Sequence, residues 1–171
     1  MEPTSHNIKE PGLNILPPGV ERYVVNGGGL TGIQIFPDDE IEIINNEGNQ
    51  ICEIIVFDED GKSNLSILNL KENKIKSGIK DVLFGKGENS KVARYQLKKR
   101  NLDLKNAKSS VIFDKDTTWG EKIKLKSKDK CYCIFSAPGE SMLVHEQNPA
   151  TDLTVFIKRA KITKDKEHVV I

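Results

Sequence analysis

Residues 30–57, LTGIQIFPDDEIEIINNEGNQICEIIVF, constrain the fold more than any other stretch of this chain. Two runs rich in β-branched residues, Glu42-Ile43-Ile44 and Ile51-Cys52-Glu53-Ile54-Ile55-Val56-Phe57, suit a pleated, half-buried surface. The connector between them, Asn45-Asn46-Glu47-Gly48-Asn49, is rich in residues that tolerate positive φ, and Gly48 does so without steric cost. The combination predicts a β-hairpin over residues 41–57 at the centre of an all-β module. It holds no catalytic motif, and neither does the rest of the chain.

With 171 residues the chain has the length for one domain with a real core. No apolar run approaches the roughly 18 residues that a membrane helix needs. The first residues, MEPTSHN, lack both a basic start and an apolar h-region, so no secretory signal is read and a cytoplasmic chain without membrane attachment is expected. The 26 Lys and Arg nearly cancel the 25 Asp and Glu, which removes long-range steering toward a polyanion. Basic stretches remain at Lys98-Lys99-Arg100 and at Lys122, Lys124, Lys126, Lys128 and Lys130. The second set has period 2, with Ile123 and Leu125 interleaved, which places the lysines on one strand face. A solvated face that protects a strand edge explains this without nucleic acid, for which no aromatic interleaving or known module is present.

The three cysteines, Cys52, Cys131 and Cys133, form an odd set without a signal peptide, which points to reduced thiols. Cys131-Tyr132-Cys133 lacks the spacing and second ligand pair of a zinc knuckle, so the thiols read as small core residues and no metal is assigned.

Residues 1–19 hold four of the seven prolines and read as an extended leader, from which Leu13, Ile15 and Leu16 are candidates to dock on the domain. Residues 20–163 read as the β domain and residues 164–171 as a tail or linker. The triple glycine 27–29 is not followed by Lys-Ser/Thr and reads as a turn or bulge rather than a phosphate loop. Asp58-Glu59-Asp60-Gly61-Lys62 shares a fragment with calcium loops but has no Glu at the twelfth position, and also reads as a turn. Strands are expected at residues 21–25, 32–36, 65–70, 110–113, 122–125, 130–135, 142–144 and 153–157. Short helical insertions are expected at residues 78–84, capped by Ser77, and from Asn89-Ser90 to about Arg100, with Val92, Ala93, Tyr95 and Leu97 among its apolar positions. Strand spacing of roughly ten residues with turn signals favours an antiparallel sandwich or barrel over a parallel α/β sheet.

No nucleophile–base–orienter set stands at a readable spacing, and no catalytic residue is assigned. His145, Glu146 and Asp152 cluster near one loop and form the first candidate for ligand binding or acid–base work, against a plain surface turn. Glu53 joins this set of ligand-binding candidates. Strand alternation sends one of Cys52 and Glu53 inward, and a buried Glu53 needs a partner, for which Arg22 and Arg94 are candidates. Trp119, the single tryptophan, is expected in the core.

The segment GIQIFPDDEIEIINNEGNQICEIIVFDEDG, with Asn46-Glu47-Gly48-Asn49-Gln50 at its turn, resembles the opening of the urea-carboxylase-associated (urea-amidolyase-associated) β domain family. The closing stretches Ser136-Ala137-Pro138-Gly139 and Asn148-Pro149-Ala150-Thr151-Asp152-Leu153 resemble the copy of that domain found ahead of aminomethyltransferase (glycine-cleavage T-protein-like) domains. Metal-binding members of the family carry G-x-H-D and partner cysteines in mid-domain. Here that region reads KSGIKDVLFGKGENSKVARYQL, without histidine or cysteine, so no metal or other cofactor is carried over. The resemblance implies an accessory or ligand-binding β module of one-carbon or amine metabolism, the N-terminal portion of a longer enzyme, with an aminomethyltransferase-like domain or subunit as partner and a small molecule as a second partner class. A stand-alone metalloenzyme of the associated family and a structural oligomerisation module are the competing readings.

Overall fold

The computed structural model describes residues 16–72, 83–114, 116–139 and 149–161. Eight strands follow in chain order: β1 (Val20–Val25), β2 (Leu30–Ile35), β3 (Glu40–Asn45), β4 (Cys52–Phe57), β5 (Ser109–Phe113), β6 (Glu121–Lys126), β7 (Cys131–Ser136) and β8 (Leu153–Lys158). A 3-10 turn (Leu65–Leu68) and helix α1 (Glu88–Lys98) lie between β4 and β5. The strands form two four-stranded antiparallel sheets, ordered β1-β8-β3-β6 and β2-β7-β4-β5. Ile41, Ile43, Val155 and Ile157 of the first sheet share one core with Ile33, Ile54, Cys133 and Phe135 of the second, so the architecture is a β sandwich. Ile43, Ile55, Phe135 and Val155 are fully buried, as their positions in the apolar runs predicted. Among the described residues no helix is long and apolar enough to cross a membrane.

The second sheet is covered twice. Ile55, Phe57, Tyr132 and Ile134 on its outer face pack against Leu83, Leu97 and Ala107. Every residue of β4 and β7 is therefore buried, whereas β3 and β6 alternate. This difference overturns the expected hairpin. β3 pairs with β6 and β8, and β4 pairs with β5 and β7, so residues 46–51 carry the chain from one sheet to the other. Neighbouring strands of one sheet share the cover on each face, and β3 and β4 need different covers. Alternation sends Cys52 into the shared core, as expected of one of the pair, and Glu53 on the opposite face is buried as well because that face is also covered.

Other elements also differ from the sequence reading. Residues 65–68 form the 3-10 turn rather than a strand, closed by Asn69 in the left-handed region at φ 56°. Helix α1 starts at Glu88 with Gly87 at its N-cap, so Asn89 and Ser90 lie inside its first turn. Of its apolar positions Ala93 and Leu97 are buried, one turn apart, while Val92 and Tyr95 face solvent. Leu83 and Phe84 are helical, but Ser77 and residues 78–82 lie outside the described residues, as does the expected strand 142–144.

On β6, the outermost strand of its sheet, Lys122 and Lys124 stand 3.9 and 3.6 Å from Glu42, and Lys126 lies 3.9 Å from Asp38. Exposed pairs of this kind contribute little to stability, and their charge blunts the edge against pairing with another chain. Lys128 and Lys130 fall beyond the strand, after a buried Ser127.

Arg159, immediately after β8, has a side chain only 1% exposed. Its Nη1 donates to Asp39 at 2.7 Å and to the Gln34 carbonyl at 2.8 Å, while Nη2 donates to Glu21 at 2.7 Å. Asp39 also accepts from the Phe36 and Ala160 amides, both at 2.9 Å. One cation thus joins β1, the end of β2, the β2–β3 turn and the end of β8. Tyr23 donates to the same Glu21 at 2.8 Å.

All three cysteines are buried free thiols. Burial pushes Cys52 and Cys133 far above the ordinary thiol range. Cys131 runs the other way: the Cys133 thiol, 3.6 Å away, supports its charged form and holds it below the usual value despite burial.

Three outcomes are expected. Arg159→Ala should lower unfolding free energy by roughly 3–5 kcal/mol in urea titrations, because it strands buried carboxylates, while Lys124→Ala should change it by less than about 0.5 kcal/mol. Loss of under about 1 kcal/mol in Arg159→Ala would mean that the cluster does not hold the sheets. Thiol-directed reagents should label the native protein slowly at all three cysteines and rapidly in denaturant; fast native labelling of any one would contradict its burial. Tyr23 and Tyr132 are pushed up to about 12, mainly by burial. Their neutral forms therefore favour the fold fully below about pH 10, the unfolded value, and that contribution is lost as pH rises toward about 12. Phenolate absorbance at about pH 11 should accordingly be lower in the native than in the urea-unfolded protein, and equal absorbance would refute the assignment.

Candidate functional site

The stretches singled out by the sequence, residues 46–50 with residues 136–139 and the described part of 148–153, residues 149–153, meet at one corner of the sandwich. Gln50, 5% exposed, donates through Nε2 to the Pro138 carbonyl at 2.9 Å and accepts through Oε1 from the Thr151 amide at 2.8 Å. Asn45 donates to the Gln50 carbonyl at 2.8 Å, and Asn46 to the Thr154 hydroxyl at 2.8 Å. The left-handed Gly48, at φ 77°, lets this turn press on the backbone of residues 117–119, where a Cβ would collide. The glycine triplet serves the same corner: a Cβ on Gly27 would run into the Ala150 carbonyl, and the Gly28 amide donates to Ala137 at 2.7 Å.

Asp152 belongs to this framework. Its Oδ1 accepts from the Gly27 amide at 2.8 Å, which gives the carboxylate a structural partner. His145 and Glu146 lie outside the described residues. His6 and His168 lie outside them too. Among the described residues no three His, Cys, Asp or Glu side chains gather as metal ligands. Two buried oxygens, Asn45 Oδ1 and Thr151 Oγ1, find no hydrogen-bond partner among the described residues.

Glu53 is buried on β4, directly opposite Ser136 in the ladder, and by strand alternation lies on the face from which Ile55 and Phe57 meet Leu83 and Leu97. Neither arginine proposed for it is engaged there: Arg94 donates to the Leu83 and Gly85 carbonyls at 2.8 and 2.7 Å, and Arg22 is exposed on β1 of the other sheet. Trp119 is 80% exposed, not in the core, because the packing at its position is made by its backbone against Gly48. Of the leader residues read as candidates to dock on the domain, Leu16 with Pro17 lines a groove over Ile44 and Phe156 on the outer face of the first sheet, while Leu13 and Ile15 lie outside the described residues.

A second polar site had no signature in the sequence. A cavity of about 150 Å³ lies between the 58–62 turn, the end of α1 and the start of β7. Gln34, Asp58, Glu59, Arg100, Lys130 and Tyr132 line it. The Arg100 guanidinium stacks 4.4 Å from the centroid of the Tyr132 ring. Arg100 stood in a short basic run at the end of an expected helix, and Tyr132 inside an apolar strand, so neither pointed to the other.

No protein-family model matches the chain. It is 34% identical over 158 residues, 92% of its length, to the trimethylamine-oxide aldolase of Ruegeria pomeroyi. The chain spans one fifth of that curated relative, 20% of its length. It is thus similar to one part of a larger enzyme.

Proposed function

We propose that residues 20–163 act as an accessory β module of an amine-metabolising enzyme, with residues 1–19 as leader and 164–171 as the link toward a catalytic domain or subunit. The observation that carries this reading is the identity of 34% over nearly the whole chain to only a fifth of an aldolase acting on trimethylamine oxide. The corner geometry supports it, since both segments that resemble urea-carboxylase-associated domains bond to each other and build the fold. By that resemblance the partner is an aminomethyltransferase-like domain, and the reaction is carried out there. Asp152, with His145 and Glu146 in the adjoining stretch, is the first place at which a small ligand or the partner would meet this module.

Affinity isolation of the tagged chain from its own cells, at endogenous level, should recover an aminomethyltransferase-like polypeptide in near-stoichiometric amount. The purified chain alone should leave the N-methyl proton signal of trimethylamine oxide unchanged. Consumption of trimethylamine oxide by the chain alone would transfer the chemistry to this module and favour the metalloenzyme reading. A defined homo-oligomer by ultracentrifugation, with no such partner recovered, would favour the oligomerisation module.

A further inference from the structure

Asn26-Gly27 is the one place in the chain where asparagine precedes glycine, and it stands at the exit of β1 with Asn26 exposed. An asparagine carboxamide is open to attack by the backbone nitrogen that follows it, and a glycine there has no Cβ to shield that nitrogen. In that reaction the Gly27 nitrogen bonds to Asn26 Cγ while the Cγ–Nδ2 bond breaks. The Gly27 proton leaves with the side-chain nitrogen as ammonia. Water then opens the cyclic imide at either carbonyl, giving aspartate or isoaspartate. In isoaspartate the main chain runs through the former side chain and is one carbon longer. The step needs no oxidant and no co-reactant besides water.

The folded chain opposes the first step at three points. The Gly27 amide donates to Asp152 Oδ1 at 2.8 Å. The Gly29 amide closes the turn on the Asn26 carbonyl at 2.8 Å, and the Gly28 amide holds the Ala137 carbonyl at 2.7 Å. Gly27 also lies so close to the Ala150 carbonyl that a Cβ would collide with it. To react, the nitrogen must give up its proton and approach the carboxamide carbon to about 3–3.5 Å. A carboxylate that accepts from the N–H favours the protonated nitrogen, which is the form that does not attack. We propose that Asn26-Gly27 is an imide-forming self-modification site held in check by the Asp152 carboxylate. Asp152 thereby protects the turn as well as tying it down. The same contacts decide what conversion does. An isoaspartate lengthens the main chain where Gly27 is gripped between Asp152, Ala137 and Ala150, so the turn after β1 comes away from the corner. The inference concerns the module itself and does not depend on the identity of its partner.

Timed incubation of the full chain at mildly alkaline pH tests it. Peptide mapping by mass spectrometry separates the asparagine, aspartate and isoaspartate forms at position 26. The native parent should convert at least about tenfold more slowly than a synthetic peptide of the same sequence, residues 22–32. Asp152→Ala should speed conversion in the folded chain by about fivefold or more. Asp152→Asn should fall between the two, because its carboxamide oxygen still accepts but the charge is gone. Asn46→Ala removes the bond from Asn46 to Thr154 at the same corner and leaves Asp152 in place, so it should change the rate by less than about twofold. Asn26→Gln should abolish the conversion at this position. Proton–nitrogen spectra establish that each variant is folded, and in the parent the Gly27 amide should exchange with deuterium more slowly than in Asp152→Asn. A parent that converts as fast as the peptide would overturn the proposal. So would folded Asp152 variants that react no faster than the parent, or an Asn46→Ala chain that matches Asp152→Ala.

Discussion

The sandwich depends on a single buried cation. Arg159 contributes to no ladder, yet its guanidinium reaches Glu21 on β1, the Gln34 carbonyl on β2 and Asp39 in the turn between β2 and β3. β1 and β2 belong to different sheets, so the interaction fastens one layer to the other at their shared end. Desolvating a guanidinium and two carboxylates is expensive, and the mutual attraction offsets that only because nearly every donor and acceptor is used. Such a cluster favours one relative placement of the sheets over others that would bury the same apolar area. The opposite problem, moving the chain between layers, is solved by Asn45 and Gln50, whose amides replace the backbone ladder where β3 gives way to β4.

That corner changes the meaning of the sequence resemblance. Asn46-Glu47-Gly48-Asn49-Gln50 and Ser136-Ala137-Pro138-Gly139 lie far apart in the chain but bond to each other through Gln50. Their residues are selected by turn conformation, close backbone approach and amide hydrogen bonding. A similarity built on them reports a shared framework. Chemistry has to be sought in side chains that the framework leaves over.

Much of the architecture was legible because strands with one exposed face print their burial as a period of two. β3, β6 and β8 show this directly, with Ile41, Ile43, Val155 and Ile157 inward. β4 and β7 were legible as strands from β-branched and aromatic content, but their double cover erased the alternation that would have told their environment. The hairpin was misread because the same residues, Gly48 and Asn49 at φ 77° and 56°, serve a tight turn within a sheet and a corner between sheets. Local turn chemistry does not record which strands the flanking runs will pair with. Trp119 was misplaced for a related reason: side-chain size predicts burial on average, but here a glycine–backbone contact decided the packing. Of the candidate site, Asp152 was legible as part of a special loop, while its use as an amide acceptor, and the meeting of Arg100 with Tyr132, depend on contacts distant in sequence.

No strand of either sheet pairs across a short turn. β1 pairs with β8, β2 with β7 and β3 with both β6 and β8, while even β4 and β5 have the 3-10 turn and α1 between them. In the register, Val20 sits opposite Lys158. During synthesis, β1 therefore waits for β8 until about residue 158 has been added, a delay of roughly 10–30 s at about 5–20 residues per second, whereas β3 can pair with β6 from about residue 126 onward. The first sheet of this module is consequently completed late, by the one strand that joins β1 to the β3–β6 pair.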